Sequence, residues 1–133
     1  MPEFETIVDD FSFLDEWEER YKYLIDLGNQ LALLDEDEFS DANKVRGCAS
    51  QVWLVFDEAG DDRLKFRGTS DAHIVRGLIA LLVALYDGKP KQDVLAIDTK
   101  AELAKLDLED HITPQRSNGL VAMVGRIRTE ATG

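Results

Sequence analysis

Apolar side chains in the first third of the chain recur at helical spacing. They lie on one stripe, which contains Phe13, Trp17, Tyr21, Leu24, Ile25 and Leu31. Ser12 is a suitable N-cap for this helix, and Gly28 is a suitable end. A shorter amphipathic stretch, Phe4 to Val8, predicts a separate small helix in front of it.

The middle of the chain has the pattern of a β-hairpin. Residues 51–56 are mainly β-branched, aromatic or apolar, and residues 63–67 alternate between apolar and basic side chains. The intervening residues 57–62, DEAGDD, have the composition of a turn. The pattern predicts two antiparallel strands with one solvated face, preceded by a polar loop over residues 35–44.

The pattern is helical again from residue 70 onward. Ser70 is a possible N-cap, Gly88 a possible stop, and Thr99 with Glu102 has the spacing of a capping box. Thr113–Pro114 opens the last predicted helix. The order of helix, strands and helices predicts an α+β fold, in which a small antiparallel sheet has helices packed on one side. A length of 133 residues without a linker predicts a single domain, 1–133.

The formal net charge of −12 is concentrated near the N-terminus. Residues 1–43 hold fourteen acidic and two basic side chains, whereas residues 44–133 hold thirteen of each. This acidity argues against a nucleic-acid partner, whose phosphates require Lys and Arg. It leaves two interpretations open, a solvated face or electrostatic steering toward a basic partner protein.

The longest apolar stretch, residues 77–86, is far shorter than the ~18 residues that indicate a membrane span. We therefore expect no membrane association. The acidic N-terminus is unlike a signal or transit peptide, so we expect a cytoplasmic protein with a reduced thiol.

Cys48 is the one cysteine of the chain, which excludes an intramolecular disulfide, a dithiol redox cycle and a four-cysteine cluster within one chain. Free cysteines are commonly buried apolar residues, so a structural role is one interpretation. A reactive thiol is the other, because Gly47 permits close approach by another molecule. Lys44 and Arg46 are nearby cations that would favour the thiolate.

The remaining motifs narrow the chemistry that Cys48 could perform. A cysteine hydrolase would need His73 or His111 in contact with the sulfur. No glycine-rich phosphate loop is present, and we predict neither a metal nor a cofactor. The chemistry that remains is that of a single thiol, which accepts a group and passes it on.

Four blocks of sequence occur in an order typical of one known family. They are WEERYKYLIDLG (17–28), NKVRGCASQVW (43–53), SDAHIVRGLIALLVALYDG (70–88) and HITPQRSNGLVAMVGRIR (111–128). Over roughly residues 14–128 the chain resembles the SufE-type sulfur-acceptor proteins, which serve cysteine desulfurases in iron–sulfur cluster assembly. The resemblance implies a SufE/IscU-like sandwich with its core at about residues 12–129.

The resemblance also implies a function and partners. Cys48 would accept persulfide sulfur from a pyridoxal-phosphate-dependent cysteine desulfurase (SufS- or CsdA-like), enhance its turnover and deliver the sulfur to an Fe–S scaffold. The protein would be a sulfurtransferase-like carrier that acts with the desulfurase rather than an independent enzyme. The alternative is a non-catalytic allosteric activator of a desulfurase, in which Cys48 is structural.

The same resemblance assigns roles to residues around Cys48. Arg116, which follows the Thr–Pro pair, would lie near the sulfur and stabilise its anion. Arg46 and Asp71 would belong to the partner interface. The residues expected to support the loop are Gly47, Ser50 and Gln51.

Overall fold

The computed structural model describes residues 2–58, 61–108 and 111–132. Within these ranges the chain forms six α-helices and two strands. The helices are α1 Phe4–Ser12, α2 Trp17–Gly28, α3 His73–Tyr86, α4 Lys91–Ala96, α5 Thr99–Ala104 and α6 Pro114–Thr132. The strands are β1 Val52–Asp57 and β2 Lys65–Ser70, and a short 3-10 helix covers Glu36–Glu38. The predicted α+β class is confirmed.

The two strands form the predicted antiparallel hairpin. Val52 lies opposite Ser70, and Asp57 lies opposite Lys65. The predicted turn over residues 57–62 includes residues 59 and 60, which lie outside the described residues. The prediction that Ser70 caps a helix was wrong, because β2 continues through this residue and the N-cap of α3 is Ala72. The Ser70 hydroxyl instead accepts a hydrogen bond from the Ala72 N–H at 3.2 Å.

Helix α3 forms the centre of the core. Ten of its fourteen residues are buried, because α2 and the sheet cover it from different sides. The approach of α2 to α3 is close, since a Cβ built on Gly28 would lie 2.8 Å from the backbone nitrogen of Gly77. Larger side chains at Gly28 or Gly77 would therefore force the two helices apart.

The boundary between α1 and α2 differs from the sequence-based prediction. Helix α1 extends to Ser12, which is therefore not an N-cap, and Phe13 is 82% exposed. The reason is that Phe4, Ile7 and Phe11 form a buried stripe of their own, with spacings of three and four residues. The end of α2 at Gly28 is confirmed.

The predicted capping box at the start of α5 was also wrong. Asp98 is the N-cap, and its carboxylate accepts a hydrogen bond from the Ala101 N–H at 3.1 Å. Thr99 is buried, and its hydroxyl is hydrogen-bonded to that of Tyr86. Thr99 is therefore the first residue of α5, and its hydroxyl contacts Tyr86 instead of capping the helix.

Helix α6 begins where the Thr–Pro pair predicted. The Thr113 hydroxyl accepts a hydrogen bond from the Arg116 N–H at 3.2 Å, which satisfies one free donor of the first turn. The buried residues of α6 are Gly119, Met123, Ile127 and Ala131. They recur at spacings of four residues, so a single narrow face of α6 meets the rest of the protein.

An ion-pair network fixes the 3-10 helix on the sheet. The Arg67 guanidinium donates two hydrogen bonds to the Glu38 carboxylate, at 2.8 and 2.5 Å, and two more to Asp57, both at 2.9 Å. These bonds hold the pKa of Glu38 at about 2. The segment that leads to Cys48 is thereby attached to the sheet. In the described ranges, no helix has the length and apolarity that crossing a membrane requires.

Candidate functional site

Cys48 lies on a short loop that leaves and rejoins the edge of the sheet. Two backbone hydrogen bonds form the neck of this Cys48 loop, which comprises residues 46–51. The Val45 N–H donates to the Val52 carbonyl, and the Leu54 N–H donates to the Asn43 carbonyl, both at 2.9 Å. The loop is therefore a narrow extension of the hairpin with both ends fixed.

Gly47 directs the loop onto α6. Its φ of +88° lies in the left-handed region, which glycine adopts without the steric cost of a side chain. A Cβ built there would lie 3.4 Å from the Cβ of Ala122 on α6, so the backbone approaches the helix closely. Gly47 thus supports the loop through its backbone conformation.

The Cys48 side chain points against α6. Its Sγ donates a hydrogen bond to the Gly119 carbonyl at 3.6 Å, and the residue is half-buried. Beside the sulfur, a cavity of about 20 Å³ separates the loop from the core. Met123, Val75 and Leu78 contribute apolar walls to this cavity. The thiol therefore faces inward at rest, toward a space of atomic size.

Burial raises the pKa of the Cys48 thiol. The expectation that Lys44 and Arg46 favour the thiolate is therefore not met in this conformation, because removal from water dominates. Neither cation lines the cavity. A thiol is a nucleophile only after ionisation, so the closed loop holds Cys48 in its less reactive form.

The structure brings Arg116 to the wall of this cavity. Arg116 lies in the first turn of α6, is half-buried, and lines the cavity together with Gln115 and Gly119. Within the described ranges it is the one cationic residue on that wall. A guanidinium at this position can donate hydrogen bonds to a sulfur anion.

Asp71 fastens the end of the Cys48 loop. Its carboxylate accepts a hydrogen bond from the Gln51 N–H at 3.0 Å, and its own N–H donates to the Gln51 carbonyl at 3.3 Å. Gln51 thus supports the loop through its backbone, and its side chain is exposed. Ser50 lines the cavity beside Cys48. Asp71 itself remains exposed, next to the loop.

Arg46 lies on the outer side of the loop, away from the cavity. With Lys44 and Arg126 it lines an open groove of about 410 Å³, to which Asp41 contributes the acidic residue. Arg126 also donates a hydrogen bond to the Ala42 carbonyl at 2.8 Å. Lys44 and Arg46 take part in none of the ion pairs formed among the described residues.

Sequence reasoning missed the contributions of Gly119, Met123 and Arg126. These residues follow Arg116 at helical spacing, so one strip of α6 carries all four. This helical spacing is the signal in the sequence that could have identified them. It was not sufficient, because nothing in the pattern shows that α6 packs against a loop about seventy residues earlier.

The two histidines lie elsewhere. The His111 ring stacks on Trp17 at 3.8 Å between centroids, and its carbonyl accepts a hydrogen bond from the Tyr21 hydroxyl. His73 is exposed in the first turn of α3. Neither lines the Cys48 cavity, which contradicts the requirement of a cysteine hydrolase. The side chains of the described ranges form no cluster able to hold a metal ion.

Comparison with known proteins extends over nearly the whole chain. An uncharacterised SufE-like protein of Rhizobium etli is 50% identical, with 98% of this chain and 90% of the relative covered. A second uncharacterised SufE-like protein, from Rhizobium meliloti, is 48% identical, with 100% of this chain and 97% of the relative covered.

The fold also occurs in a solved structure. The solution structure of a hypothetical protein from Thermus thermophilus matches with a TM-score of 0.77 and 19% identity, covering 97% of this chain and 93% of that chain. Residues 5–131 match the family model described as SufE, Fe-S metabolism associated domain. By this match and by the two relatives, the chain belongs to the SufE family.

Proposed function

We propose that this protein is a sulfur carrier that accepts persulfide sulfur on Cys48 from a pyridoxal-phosphate-dependent cysteine desulfurase. It increases the turnover of that enzyme and delivers the sulfur to an iron–sulfur scaffold. The observation that carries the proposal is the arrangement of Cys48, whose sulfur sits on a surface loop yet faces a cavity of about 20 Å³. Membership of an Fe–S metabolism family supports it.

The transfer is a thiol exchange at a sulfane sulfur. The Cys48 thiolate attacks the outer sulfur of the donor persulfide, and a new S–S bond forms as the donor S–S bond breaks. The donor cysteine leaves as a thiolate and takes up a proton. Because the donor thiol is then free for another cycle, sulfur removal accelerates the desulfurase. In the second exchange the Cys48 persulfide is the donor: an acceptor thiolate attacks its outer sulfur, and Cys48 leaves as the thiolate.

The closed loop requires a conformational step before this exchange. A partner cysteine cannot enter a cavity of atomic size, so the tip of the Cys48 loop must leave α6 when the partner docks. Leaving α6 breaks the hydrogen bond to Gly119 and returns the sulfur to water, which lowers the thiol pKa toward its ordinary value. Docking would thus expose and activate Cys48 together.

The groove beside the loop supports a defined docking chemistry. Lys44, Arg46 and Arg126 line this groove next to Cys48 in a chain of net charge −12, and Lys44 and Arg46 form no ion pair among the described residues. We assign this groove to an acidic surface of the desulfurase, with Asp71 at the opposite end of the loop in the same interface. On the cavity side, Arg116 would stabilise the persulfide anion.

Intact-mass measurement tests the sulfur-carrier proposal directly. The protein is incubated with a cysteine desulfurase and cysteine, and we expect the wild type to gain the mass of one sulfur atom. Cys48→Ser should gain none, because it lacks the accepting atom. Absence of added sulfur on the wild type, or equal labelling of Cys48→Ser, contradicts the proposal.

One observation favours the allosteric alternative. Cys48 is half-buried and its thiol pKa is raised, and both properties are also typical of a structural cysteine. Under that alternative, Cys48→Ala would retain full stimulation of desulfurase turnover. Under the sulfur-carrier proposal, stimulation is lost with the sulfur atom. The rate at which the desulfurase produces alanine, measured with the wild type and with Cys48→Ala, separates the two functions.

A further inference from the structure

Helix α6 has a glycine where the Cys48 sulfur packs against it. A Cβ built on Gly119 would lie 3.5 Å from the Cys48 Sγ and 3.7 Å from the Cys48 Cβ. Both distances are ordinary van der Waals separations. The thiol form of the protein, with its loop closed, would therefore accommodate a methyl group at this position.

The persulfide needs more room than the thiol. Its outer sulfur lies about 2.05 Å from Sγ, as in a disulfide. The cavity beside Sγ measures about 20 Å³, and about 10–15 Å³ is enough to hold one water-sized group. The closed site can thus hold the thiol and about one further atom, provided that no side chain at residue 119 takes that space.

We infer that Gly119 is a positioning residue that keeps space beside Cys48 for the outer sulfur of the persulfide while the loop is closed. The inference rests on the proposed function, because it concerns the form of Cys48 that carries sulfur. Under this inference, only the persulfide form of Cys48 requires that residue 119 has no side chain, because the thiol form leaves room for a methyl group there. The closed loop then shelters the bound sulfur from reductants during transit.

A methyl group at residue 119 should separate the two forms. In Gly119→Ala the added carbon stands against Sγ and competes with the outer sulfur for the same cavity. The persulfide must then displace the loop, because well-packed sites tolerate added atoms poorly. The thiol form keeps its closed loop, since its contacts remain at ordinary distances.

Gly125 offers a matched control on the same helix. It is exposed, and a Cβ built there would meet no described atom within 4 Å beyond its chain neighbours and the backbone of its own helix. Gly119→Ala and Gly125→Ala both raise the helical propensity of α6 by the same residue exchange. A difference between the two variants therefore reports on the surroundings of Cys48.

The experiment loads Cys48 with sodium polysulfide and follows the loss of the added sulfur to dithiothreitol by intact mass. In loading, the Cys48 thiolate attacks a sulfane sulfur, one polysulfide S–S bond breaks, and the shortened polysulfide leaves as an anion. In unloading, a dithiothreitol thiolate takes the outer sulfur, which departs as hydrogen sulfide when the reductant closes to its cyclic disulfide.

We expect Gly119→Ala to lose its added sulfur on the order of tenfold faster than the wild type and Gly125→Ala. Alkylation of the unloaded thiol by iodoacetamide should proceed at the same rate in all three proteins.

Equal persulfide lifetimes in the three proteins overturn the inference. The inference is also overturned if the unloaded thiol of Gly119→Ala is alkylated faster than that of the wild type by the same factor as its persulfide is lost. The glycine would then serve the packing of the loop in both forms. A third contradicting result is a persulfide lifetime in the folded wild type that does not exceed the lifetime in the urea-unfolded chain.

Polysulfide loading uses no desulfurase. If the desulfurase transfers no sulfur to Cys48, the proposed function fails, whereas the polysulfide measurement still decides whether Gly119 makes room for the outer sulfur. The two failures are therefore distinguishable.

Discussion

The reactivity of Cys48 depends on the position of its own loop. When the loop is closed, the thiol donates to the Gly119 carbonyl and burial raises its pKa. A thiolate at the same position would face a carbonyl oxygen and lose solvation, so ionisation and closure oppose each other. Under the proposed function, sulfur chemistry at Cys48 is therefore coupled to loop opening.

This coupling has a defined dependence on pH. The raised pKa means that the closed loop is fully stable below the ordinary pKa of a thiol and becomes less stable as pH rises through the folded-state pKa. We expect the rate of Cys48 alkylation by iodoacetamide to rise with pH around a midpoint above that of the urea-unfolded protein. A midpoint at or below the unfolded value would show that the closed loop does not disfavour the thiolate.

At the residue scale, the sequence predicted Cys48 and the residues beside it as the candidate site, and the structure brings Arg116 and Asp71 close to the same loop. A lone cysteine after a glycine, between a polar loop and a strand, left few chemistries open. Its raised pKa was not predictable, since Lys44 and Arg46 suggest the opposite direction and burial depends on α6. Gly119 and Arg126 were missed because their contacts are long-range in sequence.

At the scale of elements, the Cys48 loop has a firm neck and a weakly held tip. The neck carries backbone hydrogen bonds from Val45 and Leu54, and Asp71 binds the end of the loop at Gln51. Among the described residues, the hydrogen bond that holds the tip on α6 is the one from Cys48. The tip can therefore detach while the neck keeps the loop on the sheet.

Asp71→Ala should loosen the end of the loop, because it removes the acceptor of the Gln51 N–H. We expect Cys48 to be alkylated between about twofold and tenfold faster in this variant. Asp26→Ala is the control, since Asp26 is an exposed acid on α2 remote in sequence from the loop. Identical alkylation rates in the two variants would mean that the Asp71 carboxylate does not restrain the loop.

The elements themselves were predicted best where the periodicity was unbroken. The hairpin, the body of α3 and the start of α6 followed from alternation, helical spacing and the Thr113–Pro114 pair, whereas the start of α3 lies at His73, beyond the predicted cap at Ser70. The break between α1 and α2 was misplaced because Phe13 continues the apolar spacing of α2 although it is exposed. Which apolar residues are buried depends on tertiary packing, which the spacing alone does not define.

At the scale of the whole molecule, charge is separated. Residues 1–43 carry the whole net charge of −12, whereas the groove beside the Cys48 loop is lined by Lys44, Arg46 and Arg126 with one acid, Asp41. A partner with an acidic surface around its donor cysteine would be attracted to the groove and repelled by the acidic third. The separation can thereby orient the partner as well as attract it.

Arg46→Glu should slow sulfur transfer from the desulfurase on the order of tenfold at low salt, and the difference should shrink as salt increases. Lys22→Glu makes the same charge change at an exposed position on α2 and should have a smaller effect. The readout is the initial rate of persulfide formation by intact mass. Equal losses in the two variants, or losses insensitive to salt, would contradict docking through the groove.

The two tryptophans of the chain lie at different places, Trp17 beside the residues that precede α6 and Trp53 at the neck of the Cys48 loop. Trp17 stacks on His111 at the approach to α6, and Trp53 pairs with Lys44 at the neck while its ring meets Phe39 edge-on at 5.0 Å. A displacement of α6 changes the surroundings of one indole, and a displacement of the neck changes those of the other. Intrinsic fluorescence of the unlabelled protein, with Trp17→Phe and Trp53→Phe to separate the signals, can therefore report in real time which side of the site moves when a partner arrives.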